Sequence, residues 1–256
     1  MIKAAFFDVD GTLLSYKTRQ VLPSAKAAIA RLQEQGILCI VATGRHISQL
    51  RKLPVADISF DAFLTLNGQL MLDKHGDVLF GVPIEGKAKE FLVEKFNDHT
   101  YPAVMVERDQ MYLNCVTDHV LTVNEMISIA IPELSDYRGG DIYQVCAYLE
   151  PGAEHLIDPI VDDCVLTGWH YGGKDIIAKG GGKMAGIQRY LEQIGIKPEE
   201  IIAFGDAEND LEMIRFAGIG VAMGNADESV KAVADFVTAD IDDDGIAKAL
   251  KHFQLI

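Results

Sequence analysis

Short runs of consecutive apolar residues, each leading into a segment with helical spacing, most limit what this chain can fold into. Residues 3–7 read as a buried strand that runs straight into a turn containing Gly11. Over residues 23–35, Ala25, Ala28, Ile29 and Leu32 recur at helical spacing, and Gly36 stands where a helix C-cap belongs. Residues 37–42 are again solidly apolar. A strand, a helix and a second strand in this order require a crossover, and strands apolar on both faces belong to a covered parallel sheet. The same pattern returns late. Met184, Ile187, Leu191 and Ile194 share one helix face that ends at Gly195, and residues 201–204 form a strand. A helix over 210–216, a strand over 219–223, a helix over 226–233 and a terminal helix over 245–253 follow.

The middle of the chain reads differently. Between residues 82 and 177 the strands look paired and half-exposed, with 103–107 and 111–115 flanking the short connection Arg108-Asp109-Gln110. Helical patterns at 87–97 and 152–163 alternate with them. The reading is an α+β module inserted into an α/β domain. It agrees with a length of 256 residues, about 1.7 domains at roughly 150 residues each.

Charge narrows the partners. The chain carries 23 basic and 38 acidic residues, a net charge of −15. Nonspecific binding to nucleic acid or to an anionic membrane needs a basic surface, so both are excluded as expectations. No apolar run approaches the ~20 residues of a membrane span, and the N-terminal apolar stretch is too short for a signal peptide. Cys39, Cys115, Cys146 and Cys164 form no C-x-x-C pair, which points to free buried thiols in a reducing, cytoplasmic setting. An anionic ligand would meet a repulsive overall field.

Four groups of residues carry chemistry. Asp8-Val9-Asp10-Gly11-Thr12 follows the first strand directly. In extended backbone, residues i and i+2 point the same way, so both carboxylates can face one site at the carboxyl end of a parallel strand. Carboxylates so close need a cation or a shared proton, and Mg²⁺ prefers hard oxygen ligands of this kind. The bland reading is a turn whose aspartates cap backbone groups. Thr43-Gly44-Arg45 ends the next strand, where a hydroxyl and free N–H groups suit phosphate, although Thr-Gly also begins many helices. Gly205-Asp206-Ala207-Glu208-Asn209-Asp210 follows the 201–204 strand and reads either as a second acidic site or as a dipole-stabilised helix start. Lys179-Gly180-Gly181-Gly182-Lys183 opens a helix, either to neutralise an anion or as a hinge ending in a solvated lysine. It is not a Walker A loop, because Ile177 stands where the first Gly is needed and Met184 replaces Ser/Thr.

In this order and at these positions, the ensemble resembles the haloacid dehalogenase superfamily of phosphatases. Asp8-Val9-Asp10-Gly11-Thr12 matches its first motif, Thr43 its second, Lys183 its third, and Gly205-Asp206 through Asp210 its fourth. Asn67-Gly68 after Thr65, and the stretches 220–226 and 240–246, are similar to the Cof-type branch, which carries a large inserted α/β cap. The resemblance implies a Rossmann-like core of residues 1–81 and 178–256 with a cap of residues 82–177. It implies Asp8 as nucleophile and Asp10 as general acid/base. It further implies Mg²⁺ held by the Asp8 and Asp206 side chains and the Asp10 carbonyl, with Asp210 in support. Thr43, Gly44, Lys183 and Asn209 would grip phosphoryl oxygens, and Asn67 would support them. Haloacid dehalogenases themselves lack the equivalent of Asp10, so dehalogenation is not expected.

The implied function is Mg²⁺-dependent hydrolysis of small phosphate esters, sugar phosphates foremost, through an aspartyl-phosphate. A cap that roofs the site excludes water and polymers. A phosphomutase, a phosphoacceptor switch and a phosphate-sensing module stay open as rivals. Monomer is the default oligomeric state. Other features have blander readings. Asp240 to Gly245 matches half an EF-hand loop but has Lys251 where Glu is needed, so Asp243 and Asp244 more simply begin the last helix. His46 reads as helix surface, Trp169-His170-Tyr171 as packing, and Arg138-Gly139-Gly140 as a polar loop open to a ligand.

Overall fold

The structure, a computed structural model, describes residues 1–127, 130–169 and 172–256. The chain divides into two compact units, Met1–Phe80 with Gly182–Ile256, and Gly81–Gly181. The first is built on an eight-stranded sheet in the order Phe236–Val237, Ile219–Ala222, Ile201–Gly205, Ala4–Phe7, Leu38–Ala42, Ala62–Thr65, Leu70–Asp73, Val78–Gly81. The first six strands pair in parallel. Ala4–Phe7 is central and every one of its residues is buried. Its sequence, Ala-Ala-Phe-Phe, carries no alternation because helices cover both faces of such a sheet. Phe7 and Phe204 stack across adjacent strands with ring centroids 5.1 Å apart.

The order places the site. Ala4–Phe7 has its next strand in sequence, Leu38–Ala42, on one side and the far later Ile201–Gly205 on the other. The sheet winds in opposite directions from this strand, and the crevice at its carboxyl end is where open α/β sheets bind ligands. Chain segments nearly 200 residues apart thereby deliver their loops to one place.

The sheet is not parallel throughout. Ala62–Thr65 returns through Leu66, Asn67 and Gly68 to an antiparallel partner, Leu70–Asp73. The helices largely follow the apolar spacing: Pro23–Glu34 buries Ala25, Ala28, Ile29 and Leu32, and Lys183–Ile194 ends at Gly195 in left-handed conformation. Two are shorter than their patterns suggest. The helix expected over 226–233 is a single turn, Glu228–Lys231, and that over 210–216 is Leu211–Phe216 after a 3-10 turn, Glu208–Asp210.

The second unit holds a six-stranded sheet in the order Cys164–Trp169, Gly173–Ala178, Gln144–Ala147, Ala103–Val106, Met111–Leu113, Glu133–Leu134. Ala103–Val106 and Met111–Leu113 form the expected antiparallel hairpin. These strands are not half-exposed: every residue of Ala103–Val106 is buried. Helix Gly86–Asn97 packs Leu92 and Phe96 into one cluster with Met105 and Tyr112. Helix Asp118–Ile127 lies outside the helical patterns read from the sequence; it contains Val120, Thr122 and Val123, which are weak helix formers. Residues 152–163 do not form an α-helix. Pro159, which lacks an N–H, lies inside a 3-10 segment, Glu154–Ile160.

All four cysteines are free, with Cys39 and Cys164 buried and Cys115 and Cys146 half-buried. Among the described residues, no helix is long and apolar enough to cross a membrane. His170 and Tyr171, of the Trp169-His170-Tyr171 segment, lie outside the described residues.

Candidate active site

Of the four groups of residues that carry chemistry, all but Lys179, Gly180 and Gly181 fall within the first unit. Asp8 continues the central strand by one residue, its N–H donating to Phe204 O at 3.0 Å. The chain then turns sharply, with the N–H groups of Leu13 and Leu14 donating to Val9 O. Strand alternation therefore stops at Asp8, and the carboxylates of Asp8 and Asp10 are drawn to different cations. Asp8 Oδ1 accepts from Lys183 Nζ at 2.5 Å, whereas Asp10 faces Arg45.

Gly11 makes the turn possible. Its φ is +82°, and a Cβ there would collide with Asp206 Oδ2 and stand 2.7 Å from Asp206 Cγ. The neighbouring Thr12 hydroxyl donates to Asp206 Oδ1 at 2.9 Å, so the first loop both admits and anchors the carboxylate of the fourth. Asn225 braces the same turn, donating from Nδ2 to Gly11 O at 2.7 Å.

Lys183 is the first residue of helix Lys183–Ile194 and is buried, not solvated. It also donates to Asp210 Oδ1 at 2.6 Å. Asp210 Oδ2 in turn accepts the N–H groups of Asp206 and Ala207, at 2.9 and 3.1 Å. Both Asp210 oxygens are thus engaged in shaping the loop. Gly205 allows that closeness, since a Cβ there would lie 2.6 Å from Asp210 Cβ. Lys179 takes no part; it belongs to the second unit and donates to Asp162 O.

On the other side of the central strand, Thr43 is buried and its Oγ1 accepts the Arg45 N–H at 3.1 Å. The Asn67 N–H donates to Thr43 O, and Asn209 Nδ2 donates to Asn67 Oδ1 at 3.0 Å. Gly44 lies against the Asn67 amide, where an added Cβ would stand 3.0 Å from Oδ1. Asn67 itself adopts the left-handed conformation, φ 52°, which Asn tolerates better than most residues. Thr43, Gly44, Asn67 and Asn209 thus share one corner. Arg45 was not singled out as a site residue, although its place directly after Thr-Gly was the available signal. Nε and Nη2 of Arg45 donate to Asp10 Oδ2 and Oδ1 at 2.5 and 2.7 Å.

Electrostatics mark the acidic group as incomplete. Burial pushes the Asp8 carboxyl up to about 7, with Lys183 pulling it down and Asp210 and Asp10 pushing it further up. Burial, reinforced by Asp8 and Asp210, pushes Asp206 up to about 9 against the opposing pull of Thr12 and Lys183. Burial disfavours the charge on Lys183, but Asp210 and Asp8 outweigh it and raise its pKa. Oxygens of Asp8, Asp206 and Asp210 lie within 4.8 Å of one another. With Arg45 balancing Asp10, three fully ionised carboxylates around one lysine would leave two negative charges unmatched, which is why protons are held on Asp8 and Asp206. A divalent cation could take the place of those protons, and an all-oxygen donor set suits a hard one.

Other sequence features resolve structurally. Asp240 Oδ1 accepts the Asp242 N–H, capping the 3-10 turn Ile241–Asp243, and the following helix begins at Gly245 after Asp244. His46 is not on a helix surface; it is buried as the cap of Ile47–Leu50, its Nδ1 accepting the Ser48 N–H. Arg138, at the surface, is held by its neighbours. Its Nε, Nη1 and Nη2 donate to Ser135, Gln110 and Glu133, and its guanidinium lies over the Tyr112 ring.

A doubly wound sheet with acidic loops at its switch point puts a polar, metal-ready site at the strand ends. The family model described as haloacid dehalogenase-like hydrolase matches residues 5–250. The chain belongs to that family, among its phosphatases. It is 32% identical over 260 residues to YkrA of Bacillus subtilis (strain 168), covering 99% of this chain and 98% of that one. It is 31% identical over 262 residues to the pyridoxal phosphate phosphatase YbhA of Escherichia coli (strain K12), covering 94% of each. Among solved structures it superposes on the Bacteroides thetaiotaomicron phosphatase BT1666 with a TM-score of 0.91 and 33% identity, covering 100% of this chain and 96% of that one. The subclass IIB sugar phosphatase BT4131 gives a TM-score of 0.86 at 33% identity, covering 99% and 100%.

Proposed function

We propose that this chain is a Mg²⁺-dependent phosphomonoester hydrolase for small phosphorylated metabolites, acting through an aspartyl-phosphate on Asp8. The observation that carries the reading is the Asp8 carboxylate, held at the carboxyl end of the central strand by the buried Lys183 inside a group that, fully ionised, lacks two positive charges. Phosphoryl transfer is mostly positioning and charge neutralisation, and this corner offers both. The Asp8 and Asp206 side chains and the Asp10 carbonyl would hold Mg²⁺, which when bound would offset the two unmatched charges of the acidic group so that it no longer repels a phosphate ester. Asp210 is left to fix Lys183 and the Asp206 backbone, as its saturated oxygens favour.

In the first step an Asp8 oxygen bonds phosphorus while the bond to the leaving oxygen breaks, and Asp10 passes its proton to that oxygen. In the second, a water oxygen bonds phosphorus, the Asp8–phosphorus bond breaks, and the water proton moves to Asp10. Thr43, Gly44, Lys183 and Asn209 would bind the phosphoryl oxygens, with Asn67 orienting Asn209. Residues 82–177 would serve as the cap, selecting small esters over polymers. The chain's nature as a cytoplasmic monomer belongs to the same proposal. Sugar phosphates fit the name of the sugar phosphatase neighbour, and pyridoxal phosphate that of the Escherichia coli relative.

The test is phosphate release from p-nitrophenyl phosphate and a panel of sugar phosphates with Mg²⁺, comparing the wild type with Asp8→Asn. The variant should be folded and inactive, and chelation should silence the wild type. Near-wild-type turnover by Asp8→Asn would remove the nucleophile. Isomerised product without free phosphate would make the protein a mutase.

A further inference from the structure

The fork between Arg45 and Asp10 has no part in the chemistry described so far. Two parallel hydrogen bonds, 2.5 and 2.7 Å long, fix both the position and the plane of the Asp10 carboxylate. A planar guanidinium gives this two-point grip and an ammonium cannot. Arg45 is itself held from behind: its N–H donates to Thr43 Oγ1 at 3.1 Å, and its carbonyl accepts the Leu66 N–H at 3.3 Å. The side chains of the pair are only 15% and 26% exposed, for Arg45 and Asp10 respectively, so water competes weakly for the contact. The Arg45 backbone is thus tied to the same residue that would bind phosphate, and its side chain to the residue that would move the proton.

We propose that Arg45 is the positioning residue for Asp10, orienting that carboxylate toward the leaving oxygen and stabilising the anion that forms as its proton departs. This rests on the reading of Asp10 as acid/base. The fork, already formed in the resting site, holds the Asp10 plane in place and favours the carboxylate that is left once the proton has gone, so it aids leaving groups that need the proton and does little for those that do not. Ground-state binding of the ester does not involve it.

The experiment compares kcat and KM of wild type, Arg45→Met and Arg45→Lys on p-nitrophenyl phosphate and phenyl phosphate, with circular dichroism to establish folding. Phenol, like tyrosine, has a pKa of about 10 and leaves poorly unprotonated, whereas the nitro group stabilises its phenolate. General acid catalysis supplies about 10²–10⁴-fold. The loss of kcat/KM in Arg45→Met, which reports only the steps through departure of the leaving group, should therefore be at least about tenfold greater on phenyl phosphate. Arg45→Lys, which keeps charge and bulk but not the fork, should show the same bias to a smaller degree. It carries the test if Arg45→Met does not fold. In an Asp10→Ala background, Arg45→Met should add no further bias. Equal loss of kcat/KM on both esters would reduce Arg45 to a structural role, and a loss confined to KM would make it a substrate-binding residue; either overturns the proposal. A wild type that releases phosphate from neither ester would refute the phosphatase reading itself, a distinct result.

Discussion

Replacing Lys183 by methionine removes the single cation from the acidic group while nearly preserving side-chain length. Lys183 is 1% exposed and bridges Asp8 and Asp210 at 2.5 and 2.6 Å. Its loss leaves three buried carboxylates facing one another, and breaking a buried pair in this way costs about 3–5 kcal/mol. For a chain of this size, 1 kcal/mol moves the melting temperature by about 2–4 °C, so Lys183→Met should melt roughly 6–20 °C lower in EDTA at pH 9. The penalty depends on pH. Asp8 and Asp206 stand at about 7 and about 9 in the folded protein, above the ordinary 3.8 of the unfolded chain. The folded state therefore binds more protons across that window, and the stability of the cation-free wild type falls as pH rises from about 4 to 9. At pH 5 both groups are protonated, less charge is left bare by Lys183→Met, and the difference between the proteins should shrink. Thermal unfolding followed by circular dichroism at pH 5, 7 and 9 measures it. A penalty below about 1 kcal/mol, or one of equal size at pH 5 and pH 9, would refute the charge argument.

Two further outcomes follow from the same geometry. Mg²⁺ competes with protons for Asp8 and Asp206, so the melting-temperature rise it produces should grow steadily from pH 5 to pH 9; a rise independent of pH would count against those ligands. Gly11→Ala drives a Cβ into the Asp206 carboxylate and strains a φ of +82°, so kcat should fall about 10²-fold through a displaced Asp206, as read by phosphate release. A variant with unchanged kcat and Mg²⁺ response would show that the close approach does not matter.

Much of the first unit was legible because its signals are local. The residues 4–7 and 38–42 are apolar at every position, and such runs identify covered strands without knowledge of neighbours. Glycine at 195 and proline at 23 punctuate the helices for backbone reasons that travel with the residue. The second unit was harder. Ala103–Val106 is apolar at every position and so carries the same mark of a covered strand, but it sits among paired strands that read as half-exposed. Helix Asp118–Ile127 contains the poor helix formers Val120, Thr122 and Val123, and the antiparallel return after Thr65 turns on left-handed Leu66 and Asn67.

The sequence alone determined which residue types stand at the ends of the central strands: Asp8 and Asp10 after one, Thr43 after the next, Asp206 and Asp210 after the third. Those are local facts, since a loop residue follows its strand wherever the strand goes. Tertiary structure decided their pairing. It gave Lys183 to Asp8 and Asp210, Arg45 to Asp10, and Thr12 to Asp206, across separations of up to 194 residues. A charge becomes a pair only when folding removes water from between two groups, and that desolvation is also what leaves the acidic group, when fully ionised, two positive charges short.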